Sequence, residues 1–155
     1  MGVKRCLTYK FRLRDKHAAE LNRQAQVVNF VWNYCNEAQR HMLRWDRWLS
    51  DFDLIKLTSG TSKELNLNAH TVQRVCRAYV LARKTHRRGS LQWRGRKSLG
   101  WVPFNTSAVS FDGASIKFRN KQYDLMHLRD MPARKDRGWE LQPRFARSLV
   151  HQLPY

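Results

Sequence analysis

The alternation of hydrophobic and polar residues predicts one strand at the start of the chain. Residues 3–14 place apolar and polar side chains on opposite faces with a period of two, which is typical of a half-buried strand. The open face of this strand is basic. The apolar face carries Val3, Leu7, Tyr9, Phe11 and Leu13.

A helical pattern follows. Over residues 16–49 the apolar residues recur at steps of three and four, which predicts a long amphipathic helix, either continuous or broken once, that ends at the turn Ser50–Asp53. We expect Trp45 and Trp48, near its end, to lie in the core, with a role as ligand platforms as the alternative. Thr61 and Glu64 have the spacing of a capping box and predict a short helix.

Asn68 is placed to cap one further helix. Its apolar stripe is Val72, Val75, Cys76, Tyr79 and Val80. The polar residues His70, Gln73, Arg74, Arg77 and Arg83 are left mostly on the opposite side. Because that side carries no acid, we expect it to lie along or inside a groove of nucleic acid.

Past Gly89 the pattern changes to short strands, with a turn at Asp112-Gly113 and a hairpin about Asn120-Lys121. Ile116 and Phe118 lie on one face of the first hairpin strand, and Tyr123 and Leu125 lie on one face of the second.

The fold class is therefore α+β. The first strand pairs with the strands after residue 98 in a small sheet or β-barrel, and the helices form an insertion. After about Asp130 neither period holds, which predicts a loop and an irregular tail.

The charge of the chain indicates which partner it binds rather than how it folds. The chain has 30 Lys plus Arg against 12 Asp plus Glu, a net charge of +18, and no carboxylate lies between Glu64 and Asp112. Nucleic acid is the usual counter-charge for such a surface. A solvated basic face is the alternative. No apolar run approaches the ~20 residues of a membrane span, so we expect no membrane partner and a cytoplasmic protein.

Catalytic and metal-binding motifs are not evident. Asp51 and Asp53 lie in the predicted helix break, where capping and turn formation explain them. The six His form no HxH or HExxH motif, and Cys6, Cys35 and Cys76 form no CxxC pair. We therefore assign no catalytic residue, no metal and no cofactor, and expect each Cys to be a small core residue.

The remaining candidate chemistry is binding. Trp93 and Trp101 are candidates to stack on bases, although Trp101 is equally placed to be a core residue of a strand. His70, Gln73, Asn105 and Thr106 are short polar groups able to read base edges, with a solvated position as the alternative for Gln73. The candidates for contact with the phosphate backbone are Lys10, Arg12, Arg14, Arg74, Arg77, Arg83, Lys84, Arg87, Arg88, Arg94, Arg96 and Lys97.

"LTYKFRLR" is followed by "AAELNRQAQVVNFVWNYCNEAQR", and the order of these segments resembles the N-terminal half of the TnpB family, the transposon-encoded RNA-guided nucleases related to compact type V CRISPR effectors. The two segments are similar to the family's opening strand and first helix, which carry "YKFRLYP"-like and "RFVYNW"-like patterns. The resemblance implies a nucleoid-associated protein of prokaryotic or phage origin. "SLGWVPF" and "SIKFRNKQYDL" resemble later strands of the same half. The resemblance covers about residues 5–128.

The resemblance implies a wedge-type β-barrel from residues 1–14 and 90–130, a helical recognition insertion at 15–89, and an irregular tail at 131–155. It also implies contact with a guide RNA and with a short motif on double-stranded DNA. Matched by position, the motif readers are Ser62, Ala69, His70, Gln73, Asn105 and Thr106. Ala69 has no polar side chain, so the motif is expected to differ or that contact to be missing.

The family continues into a RuvC nuclease domain that this sequence does not show, so we expect the chain not to cut DNA on its own. A frameshift or a natural split of the gene would explain both this and the tail. A separate RuvC-bearing chain, or a second copy of this chain, is a further expected partner. Two other hypotheses are a DNA- or RNA-binding regulator that needs no guide, and a decayed, non-functional transposase fragment.

Overall fold

The computed structural model describes residues 12–98, 100–105, 108–112, 114–118 and 120–126, with the main chain alone at Arg12 and Phe111. The predicted tail at 131–155 lies outside these residues, as does most of the predicted first strand. The elements, in chain order, are β1 (Arg12–Leu13), a 3₁₀ turn (Asp15–His17), α1 (Ala18–Leu43), α2 (Asp51–Leu57), α3 (Thr61–Glu64), α4 (Ala69–His86), β2 (Val109–Phe111), β3 (Ser115–Phe118) and β4 (Lys121–Met126).

The helices pack around a core between α1 and α4. The predicted stripe of α4 is buried in full and meets the apolar side of α1. The Sγ atoms of Cys35 and Cys76 approach to 3.8 Å inside this core, where both side chains are fully buried. The prediction that these two cysteines are core residues is confirmed.

The turn between α1 and α2 corrects the sequence prediction. The first helix ends at Leu43 rather than near residue 49, and Ser50 and Asp53 begin α2 as a capping box instead of only breaking a helix. Trp45 and Trp48 are 73% and 55% exposed, so their predicted place in the core is wrong.

The start of the next helix also differs, while the cap of α4 does not. The residue at the N-cap of α3 is Gly60, at a φ of 87° that an L side chain rarely adopts, and no side chain makes a cap hydrogen bond there. The predicted capping box of Thr61 and Glu64 is therefore wrong. The predicted cap of α4 is confirmed, since Asn68 accepts a hydrogen bond from the His70 N–H at 2.8 Å.

The strands form an antiparallel sheet in the order β1-β4-β3-β2. Leu13 of β1 pairs with Leu125 of β4, so the predicted return of the first strand to the later ones is confirmed. Across the described residues the sheet is open and does not close into a barrel. The α+β class is thus confirmed. The buried side chains of the sheet core are Leu13, Leu21, Ala25, Val102, Phe104, Val109, Ile116, Phe118, Tyr123 and Leu125.

Both hairpin turns lie where the sequence predicts them. Asp112 accepts hydrogen bonds from the N–H groups of Ala114 and Ser115 at 2.9 and 2.7 Å. Asn120 has φ 62°, a left-handed conformation that Asn tolerates better than most residues. The two turns align β2, β3 and β4 so that their apolar residues share one face.

Two asparagines on α1 hold the segment that leads from α4 to the sheet. Asn36 donates to the Leu91 carbonyl at 2.7 Å and accepts from the Leu91 N–H at 2.9 Å. Asn33 repeats the pairing with both main-chain groups of Arg94, at 2.8 Å each. Each side-chain amide therefore replaces one peptide of a partner strand. Buried Asn36 also accepts from the Tyr79 hydroxyl at 3.0 Å.

Candidate nucleic-acid interface

A row of mainly basic residues, with one leucine among them, runs along the outer side of α4. We call it the basic stripe; its members recur at alternating steps of four and three, so they lie above one another on a helix. They are His70, Arg74, Arg77, Leu81, Lys84 and, just past the helix end, Arg88. Packing of Val75 and Tyr79 against α1 turns this opposite side outward. At 1.5 Å per residue, the members within α4, from His70 to Lys84, span about 21 Å.

Most charges of the basic stripe are open to solvent. Arg77, Lys84 and Arg88 are exposed, and Leu81, the apolar member, is 67% exposed. Arg77 lies 4.0 Å from Asp51, a partly exposed pair. Exposed ion pairs are weak, so a phosphate can replace this carboxylate.

The N-terminal end of the stripe carries a connected group of polar side chains. Arg74 Nε donates to Asn105 Oδ1 at 2.5 Å, and Asn105 Nδ2 lies 3.0 Å from His70 Nδ1. Because a guanidinium only donates, the Asn105 carbonyl oxygen faces Arg74 and its NH2 group faces the imidazole. His70 Nδ1 is then the acceptor, which leaves Nε2 as the donor of the ring.

A groove of about 710 Å³ lies between this group and the sheet. The α4 side is formed by Asn68 and His70, and the sheet side is formed by β2, the β3–β4 hairpin and residues next to them. The sheet contributes Ala108, Val109, Ser110, Lys117, Phe118, Asn120, Lys121 and Gln122. Amide, hydroxyl and ammonium groups therefore face His70 across the groove, and they include both donors and acceptors.

The structure brings together only some of the predicted motif readers. His70 and Asn105 meet, as described above. Ser62 and Gln73 are half-buried in α3 and α4, and Ala69 is the exposed first residue of α4. Thr106 lies outside the described residues.

The predicted phosphate contacts outside the stripe are distributed more widely. Arg14, Arg87, Arg96 and Lys97 are exposed. The Lys10 position and the Arg12 side chain lie outside the described residues. The exposed residues therefore extend the positive surface beyond α4.

Arg83 corrects the sequence prediction. Its side chain is only 4% exposed, and its guanidinium donates to Gln39 Oε1 and, at 2.7 Å, to the Leu49 carbonyl. It also lies 5.3 Å from the centre of the Trp48 ring. Burial lowers the pKa of Arg83 from its ordinary value. These contacts tie α4 to the α1–α2 turn and leave no room for a phosphate, so its assignment as a phosphate contact is wrong.

Arg94 and Trp101 are occupied with each other. The Arg94 guanidinium lies 5.1 Å from the Trp32 ring centre and 5.4 Å from that of Trp101, and both contacts favour the cation. Trp101 is half-buried and packs against the helical core. Its alternative interpretation as a core residue fits better than base stacking. Trp93, in contrast, is 49% exposed.

Sequence reasoning missed two aromatic side chains on α1. Phe30 is 60% exposed and Tyr34 is 43% exposed. They fall outside the buried stripe of α1 and one turn apart. That offset from the apolar period was visible in the sequence and distinguishes them from core aromatics.

Comparison with protein-family models, with curated proteins and with solved structures gave no match for this chain. The resemblance to the TnpB family therefore stays a prediction. Within the described residues, no three His, Cys, Asp or Glu side chains are grouped to hold a metal ion. None of the described helices combines the length and the apolar character needed to cross a membrane.

Proposed function

We propose that this chain is a nucleic-acid-binding module, which contacts a duplex through the basic stripe of α4 and the groove beside it. The observation that carries the proposal is the stripe itself: Arg74, Arg77 and Lys84 lie along about 15 Å of α4, and Arg88 follows just past its end. This stretch of sequence contains no carboxylate. Cations in such a row neutralise phosphates and release their counterions.

The groove adds polar side chains that can read the base sequence of the duplex. Phosphate contacts position a protein on a duplex, whereas contacts to base edges specify the sequence. His70 offers a ring donor, and the Asn105 amide, held by Arg74, is pre-oriented beside it. In the proposal the stripe sets the register, and His70 and Asn105 meet the base edges.

The finer form of the proposal follows the TnpB-like resemblance. The module would bind a guide RNA together with a short motif on double-stranded DNA, with the catalytic step supplied by a RuvC-bearing chain or domain. The sheet would complete a small wedge-type barrel with strands from outside the described residues. The order strand, helices, strands and the pairing of β1 with β4 support this form.

The test measures binding of the full chain to a short duplex by fluorescence anisotropy, between about 50 and 200 mM salt. One variant replaces Arg77, Lys84 and Arg88 by Gln. The matched control replaces Arg44, Arg47 and Lys56 by Gln, which removes the same charge from exposed positions elsewhere. The stripe variant is expected to reduce the salt slope by about 0.9 for each lost phosphate contact, and the control by much less.

Equal losses in the two variants would show that only net charge matters and would refute the stripe. A structured RNA recovered with the purified chain, and needed for duplex binding, would support the guided form. Duplex binding without RNA would instead favour the regulator hypothesis. A chain that melts without cooperativity and binds neither would favour the decayed fragment.

A further inference from the structure

The outer face of α1 carries exposed aromatic rings that the duplex-binding surface does not use. Phe30 and Tyr34 are four residues apart, so their rings are neighbours along the helix. They lie outside the stripe of α1 that packs on α4. Exposed rings on one face usually mark a contact surface.

The segment after α4 adds a third ring beside this face. Asn33, one turn from Phe30, binds the main chain of Arg94, and Asn36 binds that of Leu91. Trp93 lies between these anchored residues and is half exposed. The double hydrogen bonds of the asparagines hold its main chain rigidly, so the ring is presented at a low entropy cost.

The charges around these rings are mainly positive. The Arg40 guanidinium lies 5.6 Å from the centre of the Trp93 ring and 3.8 Å from the Glu37 carboxylate. Glu37 is the acid on this face, and Arg40 offsets its charge. Arg96 and Lys97 follow directly after the anchored segment and are exposed.

We propose that Phe30, Tyr34 and Trp93 form a stacking platform for unpaired bases of a single-stranded nucleic acid. This inference rests on the proposed function and adds a second, single-strand site to the duplex surface. A single strand is bound by planar rings that take the bases and by nearby cations that follow the backbone. Here the cations lie on the Trp93 side, where Arg40 contacts the Trp93 ring and exposed Arg96 and Lys97 follow in the chain. A protein partner would favour a continuous apolar surface, which Glu37 and Arg40 interrupt.

The experiment compares affinities of the full chain for three short probes of one mixed sequence: single-stranded RNA, single-stranded DNA and duplex DNA. The test variant carries Phe30→Leu and Tyr34→Leu, which keep an apolar side chain but remove the rings. The control variant carries Trp45→Leu and Phe52→Leu, which remove two rings that are each 73% exposed elsewhere. Far-UV circular dichroism checks that both variants fold.

The test variant is expected to bind single strands about 5- to 100-fold more weakly and the duplex within about twofold of the parent chain. The control is expected to leave both affinities unchanged. A third variant, Trp93→Leu, should reduce single-strand affinity in the same way.

Three results would overturn the inference: equal loss in test and control, no loss in either, or equal loss on duplex and single strands. A chain that binds duplex but no single strand would also overturn it and leave the proposed function in place. A chain that binds neither would overturn both. The RNA and DNA probes distinguish which single strand the platform prefers.

Discussion

Replacing Arg83 and Lys84 in turn by Met separates a structural cation from a binding cation on the same helix. Both substitutions remove one positive charge and keep an unbranched side chain. Arg83 is buried and bonded to Gln39 and Leu49, whereas Lys84 is exposed on the basic stripe. The two variants should therefore fail in different assays.

The contacts of Arg83 set the size of the stability loss. Its hydrogen bond to the Leu49 carbonyl is 2.7 Å long, and a buried acceptor that loses its donor costs about 1–3 kcal/mol. Gln39 Oε1 keeps the Leu49 N–H as donor at 2.9 Å, so less is lost there. The contact with the Trp48 ring adds about 0.5–1 kcal/mol. Relief of the buried charge offsets part of the sum, which leaves about 1–3 kcal/mol.

Urea denaturation followed by circular dichroism measures the free energy of unfolding, and anisotropy with a short duplex measures binding. We expect Arg83→Met to lower the free energy of unfolding by about 1–3 kcal/mol and, once folded, to bind the duplex like the parent chain. We expect Lys84→Met to change the free energy of unfolding by less than about 0.5 kcal/mol and to reduce the salt slope by about 0.9.

The reasoning would be refuted if Arg83→Met left stability unchanged and weakened duplex binding as much as Lys84→Met does. Arg83 would then reach a phosphate as the sequence suggested. Loss of stability in both variants would instead show that Lys84 has a structural role that its exposure does not indicate.

Three further predictions concern the amides and the titrating groups. Asn36→Ala should lower the free energy of unfolding by about 3–5 kcal/mol because it leaves the partners of a fully buried amide unpaired. Asn33→Ala, at a half-buried site, should lower it by only about 1 kcal/mol. Equal losses would contradict the burial argument. Hydrogen bonds from an arginine lower the pKa of Glu20 to about 2, and main-chain N–H groups do the same for Asp112. Their contribution is complete above the ordinary values of 4.5 and 3.8 and is lost as pH falls toward 2, so Glu20→Gln and Asp112→Asn should flatten acid denaturation in that window. Burial lowers the pKa of His17 from 6.5, so the folded state favours neutral His17. The stability that this residue contributes is present above pH 6.5 and is lost as pH falls below it. His17→Gln should therefore make the urea midpoint fall less over that pH range.

The apolar periods of the sequence determined most of the local structure. Val72, Val75 and Tyr79 recur at helical spacing, and burying them can only turn one side of α4 inward. The hairpin of β3 and β4 was predictable for the same reason, because Ile116 and Tyr123 fall on one face at a period of two. Once that apolar side of α4 is buried, the residues left on its exposed side are mainly basic.

The contacts that link distant segments were decided by the tertiary structure. Arg83 was predicted to face outward with the other cations of α4, whereas the fold buries it and supplies the acceptors that make a buried guanidinium tolerable. Asn33 and Asn36 bind main-chain groups 61 and 55 residues away. Asn105 likewise reaches His70 and Arg74 across more than thirty residues. Periodicity records which side of an element is buried, whereas a hydrogen bond between segments depends on where the chain returns, and packing of the whole core determines that return.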